Sequence, residues 1–296
     1  MKKVLITGAN SYIGTTFENW IKGNCPEIIT ETVDMIGDAW KEMNFGQYDS
    51  IFHVAGIAHA DVGKVTDEQK ALYYKVNADL TAECARKAKS EGVTQFVFMS
   101  SIIVYGESAG IGKSRVITKD TPLTPANFYG DSKVKAEEAL QELADDWFKV
   151  VILRPPMIYG KGSKGNYPLL AKLARKLPFF PNVKNQRSML YVGNLCKLIA
   201  EVILREKDGT FYPQNKEYVT TCEMVKSIAG VFEKNIRLTG VFNWALKLLG
   251  KLGGKPGGLV NKAFGNMVYE KSMSEYDFEY QIYDLQESIR LTEETE

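Results

Sequence analysis

Short, apolar, β-branched runs alternate with helical stretches through the first half of the chain, and this alternation restricts the fold more than any other feature. "KKVLIT" reads as a strand bounded by Gly8, and "IGTTFENWIKG" as a helix closing at Gly23. "IITETVD", "YDSIFHVAG", "QFVFMSS" and "FKVVILRPP" read as further strands. A charged loop and the helix of "NADLTAECARKAKSEG" separate the third from the fourth, and the "YGDSK" helix precedes the last. Strands apolar throughout are buried on both faces, which a parallel sheet covered by helices on each side achieves. The expected class is therefore α/β, a doubly wound parallel sheet with a smaller C-terminal lobe. Residues 1–155 and about 187–214 are expected to form the sheet domain, and 156–186 and about 215–296 the lobe.

The 296 residues, 45% of them hydrophobic, suffice for one large core or two smaller ones. A net charge of +1 gives no global attraction to nucleic acid, so a small-molecule partner is expected. Cys25, Cys84, Cys196 and Cys222 form no CxxC and only two histidines are present, a pattern that suggests neither a metal site nor a disulfide framework. The cysteines should be reduced and buried. Met1 runs directly into "KKVLITG", and no stretch reaches the ~20 apolar residues of a membrane span, from which a cytoplasmic location is expected.

In doubly wound folds ligands sit at the carboxyl ends of the strands, here the tails Gly8–Gly14, Ala55–His59 and Ser100–Gly106. The first, "TGANSYIG", brackets a turn with glycines, so that the backbone of Gly8, Asn10, Ser11, Tyr12, Ile13 and Gly14 can approach a pyrophosphate at a helix amino terminus. Ser11 stands where a third glycine is usual. Ala55 and Gly56 are expected against the same dinucleotide. Asp34, twenty residues after Gly14, is placed to accept hydrogen bonds from the adenosine ribose; its charge would repel a 2′-phosphate and favour NAD over NADP. "NFYGDSK" sets Tyr129 and Lys133 four apart on one helix face. A phenol ionises near pH ~10, and a neighbouring ammonium favours the phenolate, which would make Tyr129 an acid or base near neutrality. The plainer reading is an exposed tyrosine and lysine on a solvated face.

Taken together, "VLITGANSYIG", "FHVAGIAH", "FVFMSSIIVYG", "FYGDSK", "LRPPMIYG" and "QRSMLYVGNL" resemble an extended short-chain dehydrogenase/reductase of the NAD-dependent nucleotide-sugar epimerase/dehydratase family, in the UDP-glucose 4-epimerase-like branch. The resemblance covers most of the chain. It implies a Rossmann sheet and a catalytic set of Ser101, Tyr129 and Lys133, with Tyr129 as base, Lys133 steadying the phenolate and binding the nicotinamide ribose, and Ser101 donating to the reacting oxygen. Ser100 is its neighbour, and strand alternation lets only one of the two face the site. The resemblance further implies a structural Asn77, a His59 bordering the substrate, and Asn166 and Arg187 on a nucleotide diphosphate. Met157 replaces a usual asparagine. His53, inside an apolar strand, is expected to be packed.

The implied activity is NAD-dependent epimerisation at C4 of a nucleotide-linked sugar, a UDP-sugar foremost. The alternatives are an NAD(P)H-dependent 4-ketoreductase and a non-catalytic dinucleotide sensor. Where dehydratases of this family carry an acidic pair, Ile102 and Ile103 stand, so 4,6-dehydration is not expected. A homodimer through "NADLTAECARKAK" and "DSKVKAEEALQEL" is implied. Near the end, residues 241–258 are expected as a helix packed on the lobe and then a flexible glycine-rich loop over the site, with peripheral membrane contact as the alternative.

Overall fold

The apolar runs pair as parallel strands in the computed structural model, which describes residues 1–58, 65–241, 243–252 and 255–294. The chain opens with β1 (Lys2–Thr7), α1 (Tyr12–Asn24), β2 (Ile28–Val33) and β3 (Ser50–His53). It continues through α2 (Asp67–Tyr74), α3 (Leu80–Ser90), β4 (Gln95–Met99), a short β5 (Val116–Ile117), α4 (Phe128–Leu143) and β6 (Lys149–Leu153). Among the described residues, six strands form one sheet in the order β10-β6-β4-β3-β1-β2, where β10 is Gly209–Phe211 and every pairing is parallel.

Side chains alternate faces along a strand, and both faces of this sheet are apolar. Val4, Ile6, Phe52, Val97 and Val151 enter one core with Phe17 and Ile21 of α1, while Leu5, Ile51, Phe96, Phe98, Val150 and Ile152 enter the other with Ala85 of α3 and Ala136 and Leu140 of α4. Each fully buried aliphatic or aromatic side chain contributes about 1.5–3 kcal/mol, so the double layer is the main stabilising term. The four cysteines are free and buried in these layers and their margins.

The second half carries β7 (Met157–Tyr159), α5 (Asn166–Lys176), β8 (Phe179–Pro181), β9 (Met189–Tyr191), α6 (Val192–Leu204), α7 (Thr221–Val231), β11 (Arg237–Thr239), α8 (Asn243–Lys251), α9 (Lys255–Phe264), β12 (Val268–Tyr269) and α10 (Leu285–Glu293). β7 pairs with β9 rather than joining the main sheet, and α6 returns to pack on α1.

Two expectations are corrected here. The charged stretch before Asn77 is helical from Asp67, because Thr66 and Gln69 form a reciprocal cap: Thr66 Oγ1 accepts from Gln69 N at 3.3 Å and Gln69 Oε1 accepts from Thr66 N at 3.0 Å. A π turn over Lys75–Asp79 joins α2 to α3. The glycine-rich stretch after residue 254 is likewise helix α9, not a loop. Asn261 Nδ2 donates to Gly250 O at 3.0 Å, and a Cβ on Gly257 would collide with Leu252 O, so glycine permits this close crossing of α9 on α8. Among the described residues, no helix is long and apolar enough to cross a membrane.

Candidate active site

The carboxyl ends of β1, β2, β3 and β4 meet around the first glycine loop. Gly8 takes φ 94° and Asn10 φ 61°, the left-handed values a tight turn requires. Ser11 keeps an ordinary φ of −70° and caps α1, its Oγ accepting from Gly14 N at 3.2 Å. That explains the serine where a third glycine is usual, since the position needs a cap rather than a positive φ. A Cβ on Gly8 would come within 2.9 Å of Ala55 N, and one on Gly14 within 2.6 Å of Ser11 Oγ and 3.1 Å of Val54. The glycines thus let the loop pack directly on the β3 tail and the α1 cap, which holds its backbone at the positive end of α1, a setting that fits a dinucleotide pyrophosphate. Only the backbone of Tyr12 and Ile13 faces this helix start. Ile13 packs on the main core and the Tyr12 hydroxyl lies buried against Gly160.

Gly8 N and Ala9 N both donate to Val33 O, at 2.9 and 3.1 Å, which ties the end of β2 to the loop and sets Asp34 beside it. Asp34 is exposed and its Oδ1 accepts from Ile36 N at 2.9 Å. On the next tail, a Cβ on Gly56 would stand 3.0 Å from Asn77 Oδ1 and 3.4 Å from Lys133 Nζ. Asn77 is fully buried on the π turn. Its Oδ1 accepts from Ile57 N at 2.8 Å, and its Nδ2 donates to Ile57 O and Ser132 Oγ, each at 3.1 Å. This side chain therefore locks the β3 tail to α4. His59 lies outside the described residues.

Ser100 and Ser101 turn opposite ways at the end of β4. Ser100 Oγ points into the fold and donates to Glu137, whereas Ser101 Oγ accepts from Ile103 N at 3.3 Å on the side of the chain that faces Tyr129, whose phenol it favours in the ionised form. Asn127 caps α4, its Oδ1 accepting from Tyr129 N and Gly130 N at 3.1 Å, which fixes the entry of Tyr129. Lys133 lies one turn on, 6% exposed, with Nζ donating to Met99 O at 2.9 Å and lying 4.6 Å from the Phe98 ring.

The expected depression of the tyrosine pKa by this lysine is not what the structure has. Burial, with a smaller push from Tyr73, raises the Tyr129 phenol to about 12, and the nearby Ser101 hydroxyl opposes the rise. Burial pulls Lys133 down to about 8 and Glu137 partly restores it. Desolvation wins because the ammonium is buried and the acceptor within hydrogen-bond reach is the neutral Met99 carbonyl rather than a carboxylate. His53 is packed, as its apolar strand implies: it sits between Thr7 and Thr81 at 2.7 and 3.0 Å, and burial lowers it to about 3.

The sequence reading missed Glu137, one further turn along the face of Tyr129 and Lys133. It is 1% exposed and accepts from Arg154 Nη2 at 2.6 Å and Nε at 3.2 Å, while Arg154 Nη1 donates to Tyr105 Oη at 2.7 Å. The i, i+4, i+8 spacing was visible, but a buried glutamate and a solvated one look alike in sequence.

The loop after β6 joins this centre to the lobe, since Ile102 N donates to Pro155 O at 2.9 Å. Beyond it, Met157, Asn166, Arg187, Met189, Thr221 and Lys262 line one cavity. Asn166 and Arg187 thus meet across α5 and the strand region before β9. Arg187 is partly buried, and its Nη1 donates to Lys262 O.

The NAD dependent epimerase/dehydratase family model matches residues 4–212. A UDP-glucose 4-epimerase of Vibrio cholerae is 32% identical over 279 residues, 86% of this chain and 83% of that relative. An N-acetyl-alpha-D-glucosaminyl-diphospho-ditrans,octacis-undecaprenol 4-epimerase of Escherichia coli O157:H7 is 30% identical over 218 residues, 66% of this chain and 61% of that relative. Among solved structures, UDP-N-acetylglucosamine 4-epimerase from Bacillus cereus superposes with a TM-score of 0.75 at 16% identity, covering 98% of this chain and 97% of that one. A dTDP-4-dehydrorhamnose reductase from Clostridium acetobutylicum gives 0.71 at 19% identity, covering 98% of each. With the parallel sheet, the glycine loop and a family match over more than half its length, this chain belongs to the NAD dependent epimerase/dehydratase family.

Proposed function

We propose that the protein inverts C4 of a sugar held on a diphosphate, a UDP-sugar foremost, by removing hydride and returning it to the other face. The observation that carries this reading is the convergence at the tail of β4 of Ser101, held by Ile103 N, and Tyr129, held by the Asn127 cap, with Lys133 buried one turn away on Met99 O. NAD is the cofactor; when bound it accepts hydride from the sugar carbon and gives it back, and its oxidised ring brings positive charge to the site. Tyr129 takes the C4 hydroxyl proton and later returns it. At a pKa of about 12 it rests protonated, so its duty as base requires positive charge closer than Lys133 stands. Ser101 holds the reacting oxygen by a hydrogen bond, and Lys133 steadies the cofactor side. The backbone of the Gly8–Gly14 loop with Ala55 and Gly56 holds the dinucleotide, and Asp34 favours NAD over NADP.

Asn166 and Arg187, which line one small cavity, are the pair that takes the diphosphate. Their relatives support that choice. One is named for a sugar on a nucleoside diphosphate and the other for a sugar on a lipid diphosphate, and both are named 4-epimerases. Ile102 and Ile103 can neither give nor take a proton, which argues against 4,6-dehydration. Ketoreduction would use the same Ser101, Tyr129 and Lys133. The deciding measurement is absorbance near ~340 nm during steady turnover of UDP-sugars, where the reduced cofactor absorbs. Product without net change in that signal is expected, and consumption of NADH or NADPH in proportion to product would replace the epimerase by a ketoreductase.

A further inference from the structure

The α8–α9 hairpin is unlike the rest of the molecule in charge and in packing. From Glu233 to Glu270 the chain has no acidic residue between, yet carries Lys234, Arg237, Lys247, Lys251, Lys255 and Lys262, in a protein whose 37 basic and 36 acidic residues otherwise nearly cancel. No residue of α8 is fully buried. Trp244 and Leu248, four apart, share one face of α8 and are 70% and 58% exposed, and Val241 before the helix and Leu252 just after it are 68% and 52% exposed. Leu249 lies exposed beside them, and Leu246 on the opposite side packs on the main core. Lys247 and Lys251, both exposed, immediately precede Leu248 and Leu252, so a basic row flanks the apolar one.

A large aromatic, branched aliphatics and flanking lysines are the composition of a helix that lies in the interface plane of a bilayer, rings and aliphatic groups at headgroup level and ammonium groups on anionic lipid. A second copy of this chain is a poorer occupant, because a symmetric contact would set Lys247 and Lys251 against their own kind. The hairpin also borders the cleft. Lys262 of α9 lines the cavity with Asn166 and Arg187, and its carbonyl accepts from Arg187.

We propose that the α8–α9 hairpin docks the protein on an anionic bilayer surface, so that the cleft behind it takes a sugar diphosphate carried on a membrane lipid. This rests on the reading that Asn166 and Arg187 hold a diphosphate, and it names the carrier. The test uses the full chain with vesicles of phosphatidylcholine and phosphatidylglycerol in equal parts, against vesicles of phosphatidylcholine alone. Wild-type protein floats with the anionic vesicles and is released by salt. The double variants Trp244→Ser/Leu248→Ser and Lys247→Glu/Lys251→Glu each lower partitioning by roughly tenfold or more, since one removes insertion and the other the attraction.

Both doubles also lose about tenfold in turnover of a polyprenyl-diphosphate-linked sugar presented in those vesicles, while turnover of a soluble UDP-sugar stays within about twofold of wild type. No flotation of the wild type, or flotation untouched by both doubles, overturns the docking. Loss of a dimer in sedimentation by Trp244→Ser/Leu248→Ser, without vesicle binding by the wild type, gives the face to a second copy instead. Flotation without turnover of the lipid-linked sugar overturns the carrier, and flotation without turnover of either sugar overturns the epimerase reading and leaves the docking standing.

Discussion

Replacing Lys133 by methionine removes an ammonium buried one helical turn from Tyr129, and the stability consequence follows from its environment. Burial lowers its pKa from 10.5 to about 8, which costs folding on the order of 3 kcal/mol at neutral pH. Methionine is similar in volume and leaves Met99 O without its 2.9 Å hydrogen bond, a loss of about 1 kcal/mol. The contact with the Phe98 ring passes from cation–π to sulfur–π at comparable strength. The variant should therefore be inactive and about 2 kcal/mol more stable at pH 7, roughly 4 °C in Tm.

The pH dependence provides the sharper criterion. Because the folded pKa lies below the unfolded one, the unfolded chain binds more protons between pH 8 and 10.5, and wild-type stability rises with pH across that window. Methionine does not titrate, so its advantage is complete below pH 8 and gone near 10.5. Tyrosine ionisation occurs in both proteins and cancels. Urea unfolding of nucleotide-stripped wild type and Lys133→Met at pH 7, 8, 9 and 10 measures the difference. A variant less stable than wild type at pH 7, or a difference constant with pH, would show that the lysine is not held at a desolvation cost.

Tyr129→Phe should reduce turnover by on the order of a hundredfold or more while circular dichroism and NAD titration stay unchanged; near-normal kcat would remove the phenol from the reaction. Arg187→Ala should weaken nucleotide-sugar binding by about 1.5–3 kcal/mol in calorimetry with little effect on NAD, and since Arg187 also holds Lys262 O, equal losses for both ligands would assign it to the fold. Arg154→Met leaves Glu137 buried without its cation and should cost about 3–5 kcal/mol in urea unfolding. The double Arg154→Met/Glu137→Leu should recover part of that loss, and a single variant as stable as wild type would contradict the pairing.

Much of the scaffold was legible in the sequence because strand periodicity is local. "KKVLIT", "SIFH", "QFVFM" and "KVVIL" alternate between two apolar layers, and that pattern alone dictates a sheet covered on both faces. The opposite turning of Ser100 and Ser101 follows from the same alternation. The cap at Thr66 was also local and written in "TDEQ", although the run of charges hid the helix it starts. Helix α9 is different, because its glycine-rich sequence has poor propensity and only packing on α8 decides for helix. The electrostatics of the site were tertiary throughout. Spacing set Tyr129 and Lys133 on one face, but the direction of the ammonium, the raised phenol and the Glu137–Arg154 pair depend on which groups the fold removes from water. Desolvation is a property of the surroundings in space, and residues 56, 77 and 133, or 166 and 187, become neighbours only once the sheet has closed.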